Sequence, residues 1–219
     1  MLILALDTAT EAVGAAVVDT AAGTVVGEAG HLGPAAHGEQ LAPLVARALD
    51  LAGARPRDLG AIGVGTGPGP FTGLRVGLVH AAVMGWALGI PVQGVCTLDV
   101  LAAQARAAGV PGPFLVATDA RRREVYWARY DAAGIRVDGP HVGPAAGIPD
   151  RMLPSVGAGA AKYPDELPGH RPPLHPDPAV LARIAGDLVR EGVPADVTPM
   201  YLRRPDATAG AARKRVTPA

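Results

Sequence analysis

The sequence offers almost no thiol chemistry, because Cys96 is its one cysteine. A lone thiol closes no internal disulfide and builds no multi-cysteine zinc site. That fits a reducing compartment, and the expectation is a cytoplasmic protein. Aromatic residues are scarce as well, 4 % of 219, whereas hydrophobic residues reach 49 %. The core must therefore be assembled from Ala, Val, Leu and Ile in many small contacts. There is no excess of either charge: 20 Lys+Arg balance 20 Asp+Glu. A protein that wraps nucleic acid by charge alone needs a basic surface, so that class is excluded, although a local basic patch is not. Lysine is nearly missing, with only Lys162 and Lys214, so the basic set is arginine. The opening MLILALDTAT has no basic leader, and its apolar run breaks at Asp7. It reads as a buried strand rather than a signal peptide. Residues 76–98 carry no formal charge over about the length of a membrane span. Gly89 and Pro91 divide that stretch into a helix stop and a following strand, so no membrane segment is expected.

What is present is a regular alternation. MLILALD is an apolar run of strand length, and GAAVVD and TVVGEAG follow across short turns, which predicts an antiparallel meander. Leu41, Leu44, Val45, Ala48 and Ala52 recur at helical spacing. Pro43 is tolerable there if the helix starts near Gln40, because first-turn amides have no intrahelical partner. AIGVGTG reads as the next strand, 72–88 as a helix, 92–95 as a strand and 98–107 as a helix. Strands separated by helices predict a mixed sheet covered on both faces. A second unit opens at 114–119. Asp7 and Asp19 close two successive strands, and Asp119 and Asp131 repeat that pattern at equal spacing, which predicts a duplicated domain. The second half is degenerate, with Pro/Gly-rich stretches at 140–149 and 164–178. Its one convincing helix, 179–191, is started by Asp177 and Pro178. The expected organisation is an N-terminal subdomain at 1–110, a reduced C-terminal subdomain at 111–204 and a fraying tail at 205–219.

Several motifs invite a chemical reading. Gly65-Thr-Gly-Pro-Gly-Pro-Phe-Thr-Gly-Leu-Arg75 links a strand to a helix, where glycines and helix amides favour a phosphate or carboxylate. No Gly-Lys-Ser/Thr follows, so it is not a Walker A loop, and Pro68 and Pro70 remove amides that would cradle phosphate. The preferred reading is a rigid loop capping a buried helix. Asp7, Thr8 and Thr10 at a strand-to-strand turn are the candidate nucleotide or anion contacts, against the alternative of local turn chemistry. His31, His37, His80, His141, His170 and His175 include no i, i+4 pair. His80 reads as an interior histidine and Cys96 as a small core residue. Arg121-Arg122-Arg123 reads as a solvated hairpin tip, with phosphate contact as the alternative.

LALDTAT, GTGPGPFTGLRVG, DARRREVY and MYLRRP occur in this order, and together the chain resembles the TsaB family, also called YeaZ, over residues 1 to about 204. The resemblance implies an α/β, actin-like ATPase fold, also described as a duplicated ribonuclease-H-like fold: a mixed sheet flanked by helices, with a reduced second subdomain. It implies a part in forming threonylcarbamoyladenosine next to the anticodon of tRNAs that read codons beginning with adenine. The family member is not the transferase. It forms a heterodimer with its paralogue TsaD, which carries the metal, and the ATPase TsaE joins them. The expectation is therefore a non-catalytic scaffold or dimerisation subunit that activates TsaD, has no intrinsic cofactor and meets tRNA only through the complex. Room is left for ATP at a subunit interface and for a homodimer when alone. The alternatives are a stand-alone ATP-dependent kinase or ATPase of the same fold, and a direct tRNA-binding module using Arg121–Arg123 and the Arg213-Lys214-Arg215 tail. The paralogue has Val-Asn-His-Leu-Glu-Gly-His where this chain has Val95 to Leu101, so Thr97 and Leu101 stand in the histidine places, and leucine ligates no metal. Family members pair through helices of the N-terminal half. The expected partner interface is therefore the small-residue stripe Gly73, Gly77, Ala81 and Gly85, with Leu41, Leu44, Val45 and Ala48 beside it.

Overall fold

A computed structural model of the chain describes residues 1–33 and 37–203. The tail expected at 205–219, with its Arg213-Lys214-Arg215 run, lies outside the described residues. Two five-stranded sheets share one wiring. The first contains β1 (Leu2–Asp7), β2 (Ala12–Asp19), β3 (Thr24–Leu32), β4 (Leu59–Gly65) and β5 (Val92–Val95), in the order β3-β2-β1-β4-β5. The first three form the antiparallel meander, and β4 and β5 add parallel to β1. The second contains β6 (Phe114–Asp119), β7 (Glu124–Tyr130), β8 (Arg136–Pro144), β9 (Ser155–Val156) and β10 (His170–Arg171), in the order β8-β7-β6-β9-β10 with the same pairing senses. Each strand of the first sheet thus has a counterpart in the second. The second half is reduced: β9 and β10 have 2 residues each and its crossover helix α4 (Ala158–Lys162) has 5.

The helices α1 (His37–Leu51) and α2 (Phe71–Leu88) cover one face of the first sheet. Alternation along the strands sends Leu4, Leu6, Val13, Ala15 and Val17 to that face, where they meet Leu41, Leu44, Val45, Ala48 and Leu49. Ile3, Ala5, Ala16 and Val18 point the other way, into α5 (Pro178–Arg190), against Leu181, Ala182 and Ala185. The helix α3 (Thr97–Ala107) follows the first sheet in sequence but packs on the second, joining Leu98, Leu101 and Ala102 to Phe114, Val116, Ala128 and Tyr130. The Tyr130 hydroxyl donates to Asp99 at 2.7 Å and fastens the same contact. Each half is therefore capped by the other half's closing helix, and α5, which lies within 111–204, belongs to the core of the first sheet.

Local chemistry explains the ends of these elements. Asp177 accepts from the Ala179 N–H at 2.7 Å and caps α5 as its position before Pro178 predicts. Gly89 stops α2 in the left-handed region at φ 67. One expectation is corrected: α1 starts at His37, earlier than Gln40, so Pro43 falls inside the helix. It is tolerated on the exposed side, where solvent reaches the carbonyl its missing N–H leaves unpaired.

Candidate functional site

The Asp7 motif and the glycine-rich loop form one packed unit. Asp7 ends β1 fully buried, and its two carboxylate oxygens accept from the Ala9 N–H at 2.6 Å and the Thr97 hydroxyl at 2.8 Å. Burial pushes its pKa up from 3.8 to about 6, against the lowering effect of those two bonds and of His37. Thr8 is inserted into α2: its hydroxyl donates to the Gly73 carbonyl at 2.7 Å and accepts from the Gly77 N–H at 3.1 Å. A Cβ at Gly65 would overlap the Asp7 carboxylate, and one at Gly69 would overlap the Ala9 carbonyl. At Gly73 it would lie 2.7 Å from the Thr8 carbonyl, and at Gly77 2.5 Å from the Thr8 hydroxyl. The glycines thus admit the chain's own β1 end, and the carboxylate this loop receives is Asp7. Thr8→Val is expected to cost about 1–3 kcal/mol, because a buried carbonyl and N–H lose their shared partner. A lower urea midpoint at unchanged m-value is the check.

The site residues expected from the sequence take the following places. Asp7 and Thr8 are each only 1 % exposed and meet the fold's interior, so of the three anion candidates only Thr10 reaches solvent-accessible space. The stripe of Gly73, Gly77, Ala81 and Gly85 is buried against the chain's own first sheet: Gly85 abuts Val92, and Ala81 is in the core cluster. Leu41, Leu44, Val45 and Ala48 are buried in the same cluster. None of these eight residues faces outward, because close approach to β1 and β5 is what the small side chains permit.

Between the halves lies a cleft of about 90 Å³, lined by Thr10, Glu11, His37, Pro70, Thr118, Asp119, Arg121 and Ala158. The Lys162 ammonium donates to Asp119 at 2.7 Å, and the His37 Nε2–H donates to the Thr10 carbonyl at 2.7 Å. Arg121, Arg122 and Arg123 make an exposed hairpin tip with φ of 60, 54 and 63. Left-handed backbone costs an L-residue about 1–2 kcal/mol. Arg203 steadies the turn by donating to the Ala120 carbonyl and pairing with Glu124. Cys96 is buried, and its thiol is pushed up to about 11, chiefly by desolvation.

The outward face of α2 is the feature the sequence reading missed. Val79, Val83 and Trp86 are 59 %, 60 % and 86 % exposed. Val79 and Val83 border a groove of about 720 Å³ with Phe71, Arg75, Val76 and Met84. His80 lies half-buried in its wall, where desolvation lowers its pKa and favours the neutral imidazole. By length and composition α2 could cross a membrane, but its inner stripe docks on the sheet. A helix apolar all round is the available signal: buried on one side, it needs cover on the other.

Two such halves, joined by exchanged helices around a cleft, define the actin-like ATPase class of α/β protein. Comparison places the chain within that class. The family model for TsaD, tRNA N6-adenosine threonylcarbamoyltransferase, matches residues 31–163. An uncharacterised Mycobacterium tuberculosis protein is 47 % identical over 206 residues, covering 94 % of this chain and 93 % of that one. The tRNA threonylcarbamoyladenosine biosynthesis protein TsaB of Escherichia coli is 41 % identical over 130 residues, covering 59 % of this chain and 55 % of that one. The structure of YeaZ from Pseudomonas aeruginosa superposes with a TM-score of 0.77 at 29 % identity, covering 92 % of this chain and 99 % of that one. The chain belongs to the TsaB (YeaZ) family.

Proposed function

We propose that this chain is an accessory, non-catalytic subunit in forming threonylcarbamoyladenosine on tRNA, and that it holds a TsaD-type paralogue in its active form. The observation that carries this reading is the exposed apolar face of α2, with Val79 and Val83 lining one groove and Trp86 exposed on the same helix. Contiguous apolar surface on this scale marks an interaction site. The places of the paralogue's histidines support the same reading. Thr97 is buried and spends its hydroxyl on Asp7, and Leu101 is packed in the core beside α3's other apolar residues. Both positions serve the fold. The cleft between the halves, at about 90 Å³, is smaller than the roughly 300–1,000 Å³ of ordinary ligand pockets. That small volume supports leaving room for ATP at an interface with another subunit; a TsaE-type ATPase joins the assembly, and tRNA is met through the assembled complex.

The test is calorimetric titration of this chain with its histidine-bearing paralogue, alongside tRNA product formation by each alone and by both. Binding and product only with both subunits are expected. Val83→Asp is expected to weaken association by roughly 100-fold or more, since docking would bury an unpaired charge, and to leave the thermal melt unchanged. Product formation by this chain alone would overturn the non-catalytic reading. Native affinity in Val83→Asp would move the interface elsewhere.

A further inference from the structure

A second feature lies along the same face and rests on that docking reading. After α5 the chain runs extended from Val193 to Arg203 and is seated at several points. Gly94 has no side chain, and the Asp196 carbonyl occupies the place where one would be. The Met200 N–H donates to the Thr66 carbonyl at 2.9 Å. Tyr201 then packs its ring, tilted by 39°, against Phe71 of α2 with centroids 4.8 Å apart, and Arg203 anchors the segment to the Ala120 carbonyl at 2.9 Å. Val197, Pro199 and Tyr201 form one wall of a second groove, of about 300 Å³, whose other wall is Arg75, Leu78, Val79 and Ala82. Arg75 and Val79 border both grooves and make the ridge between them.

Arg75 is held in this ridge by two contacts. Its guanidinium lies 3.9 Å above the Phe71 ring, and its Nε–H donates to the Tyr201 hydroxyl at 3.2 Å. Among the described residues no carboxylate pairs with it, and its terminal nitrogens have no hydrogen-bond partner. It is the one formal charge on α2, which contains neither Asp nor Glu. A pinned guanidinium loses little further freedom on docking, and its planar fork suits a carboxylate. Covered by an apolar surface alone, it would be desolvated without compensation.

We infer that Arg75, positioned by Phe71 and Tyr201, is a specificity determinant of the docking face, and that its occupant is a partner helix with an apolar seam and a carboxylate opposite Arg75. A second copy laid α2 against α2 brings no carboxylate, so the face selects a different chain. The apolar seam supplies contact area, and the charge fixes register.

Titration of the full chain with the purified paralogue, at low and moderate salt, tests this. Arg75→Glu is expected to weaken binding by roughly 100-fold and Arg75→Gln by about tenfold, the latter also flattening the salt dependence. Tyr201→Phe keeps the ring contact with Phe71 and removes only the hydroxyl, and a loss of about threefold is expected from an arginine less firmly held. Arg75 is exposed, so the melts of its variants should match the parent. If Arg75→Glu binds with native affinity while Val83→Asp does not, the face stands and the charge determinant falls. If Val83→Asp also binds normally, the docking reading itself fails. Disruption of self-association with paralogue binding intact would make a second copy the occupant and overturn the assignment.

Discussion

Ala81→Trp is expected to abolish folding, whereas Val83→Trp, two positions along the same helix, is expected to leave a folded chain. Ala81 is 0 % exposed, on the stripe by which α2 lies against the first sheet. An indole there has no space to occupy. Adding even single methylenes to a packed core costs about 1–3 kcal/mol, and native stability is only about 5–15 kcal/mol. Val83 is 60 % exposed, so a tryptophan there enlarges the apolar groove without touching the core. Circular dichroism melts with size-exclusion chromatography separate the cases. A cooperative, native-like melt for Ala81→Trp with loss of association alone would show that the stripe faces another subunit. Leu44→Asp is expected to behave like Ala81→Trp, because Leu44 is 8 % exposed within the same cluster and a carboxylate there would be buried unpaired.

The contrast between Ala81 and Val83 marks where the sequence stops being legible. Glycines and alanines at four-residue spacing report that something approaches α2 closely. They do not report whether it is the chain's own β1 and β5 or a second subunit. In α1 the polar positions separate the faces, and Leu41, Leu44, Val45 and Ala48, expected at a partner interface, lie inside. In α2 only Arg75 is charged, so periodicity cannot choose a face. The duplication was readable from Asp7 and Asp119, each closing the first strand of its half. The strands β9 and β10 were not, because two residues carry no alternation to detect. Nor was the service of Thr97 to Asp7, a contact between residues 90 positions apart. The four glycines around Asp7 to Ala9 point the same way: the loop was recognisable as a place of close approach, but its occupant is a strand end distant in sequence.

Asp7→Asn is expected to stabilise the protein near neutral pH. In the folded chain Asp7 titrates at about 6, raised from 3.8 chiefly by burial. Below pH 3.8 the carboxyl is protonated folded or unfolded, and it contributes no pH dependence. As pH rises towards 6 the unfolded chain ionises Asp7 while the folded chain still holds the proton. The unfolded state then binds fewer protons, so stability falls with pH across this window and levels off above it. At about 1.4 kcal/mol per pKa unit, the shift corresponds to a cost of about 3 kcal/mol at pH 7. Asparagine removes that ionisation. Its carbonyl can keep the Ala9 N–H, and its amide can donate to Thr97, whose hydroxyl turns to accept. The variant should therefore gain about 1–3 kcal/mol over the parent at pH 7, and the difference should vanish as pH is lowered through 6 towards 3.8. Asp7→Ala, which leaves both donors unpaired in the interior, should be less stable than the parent throughout that range. Urea unfolding of the three proteins at several pH values measures this, with difference curves isolating Asp7 from the other carboxyls. An Asp7→Asn protein less stable than the parent at pH 7 would mean that the buried charge is held by interactions stronger than these two hydrogen bonds. A more stable Asp7→Asn protein that binds its paralogue normally but no longer supports tRNA modification would reassign Asp7 from the fold to the chemistry of the complex.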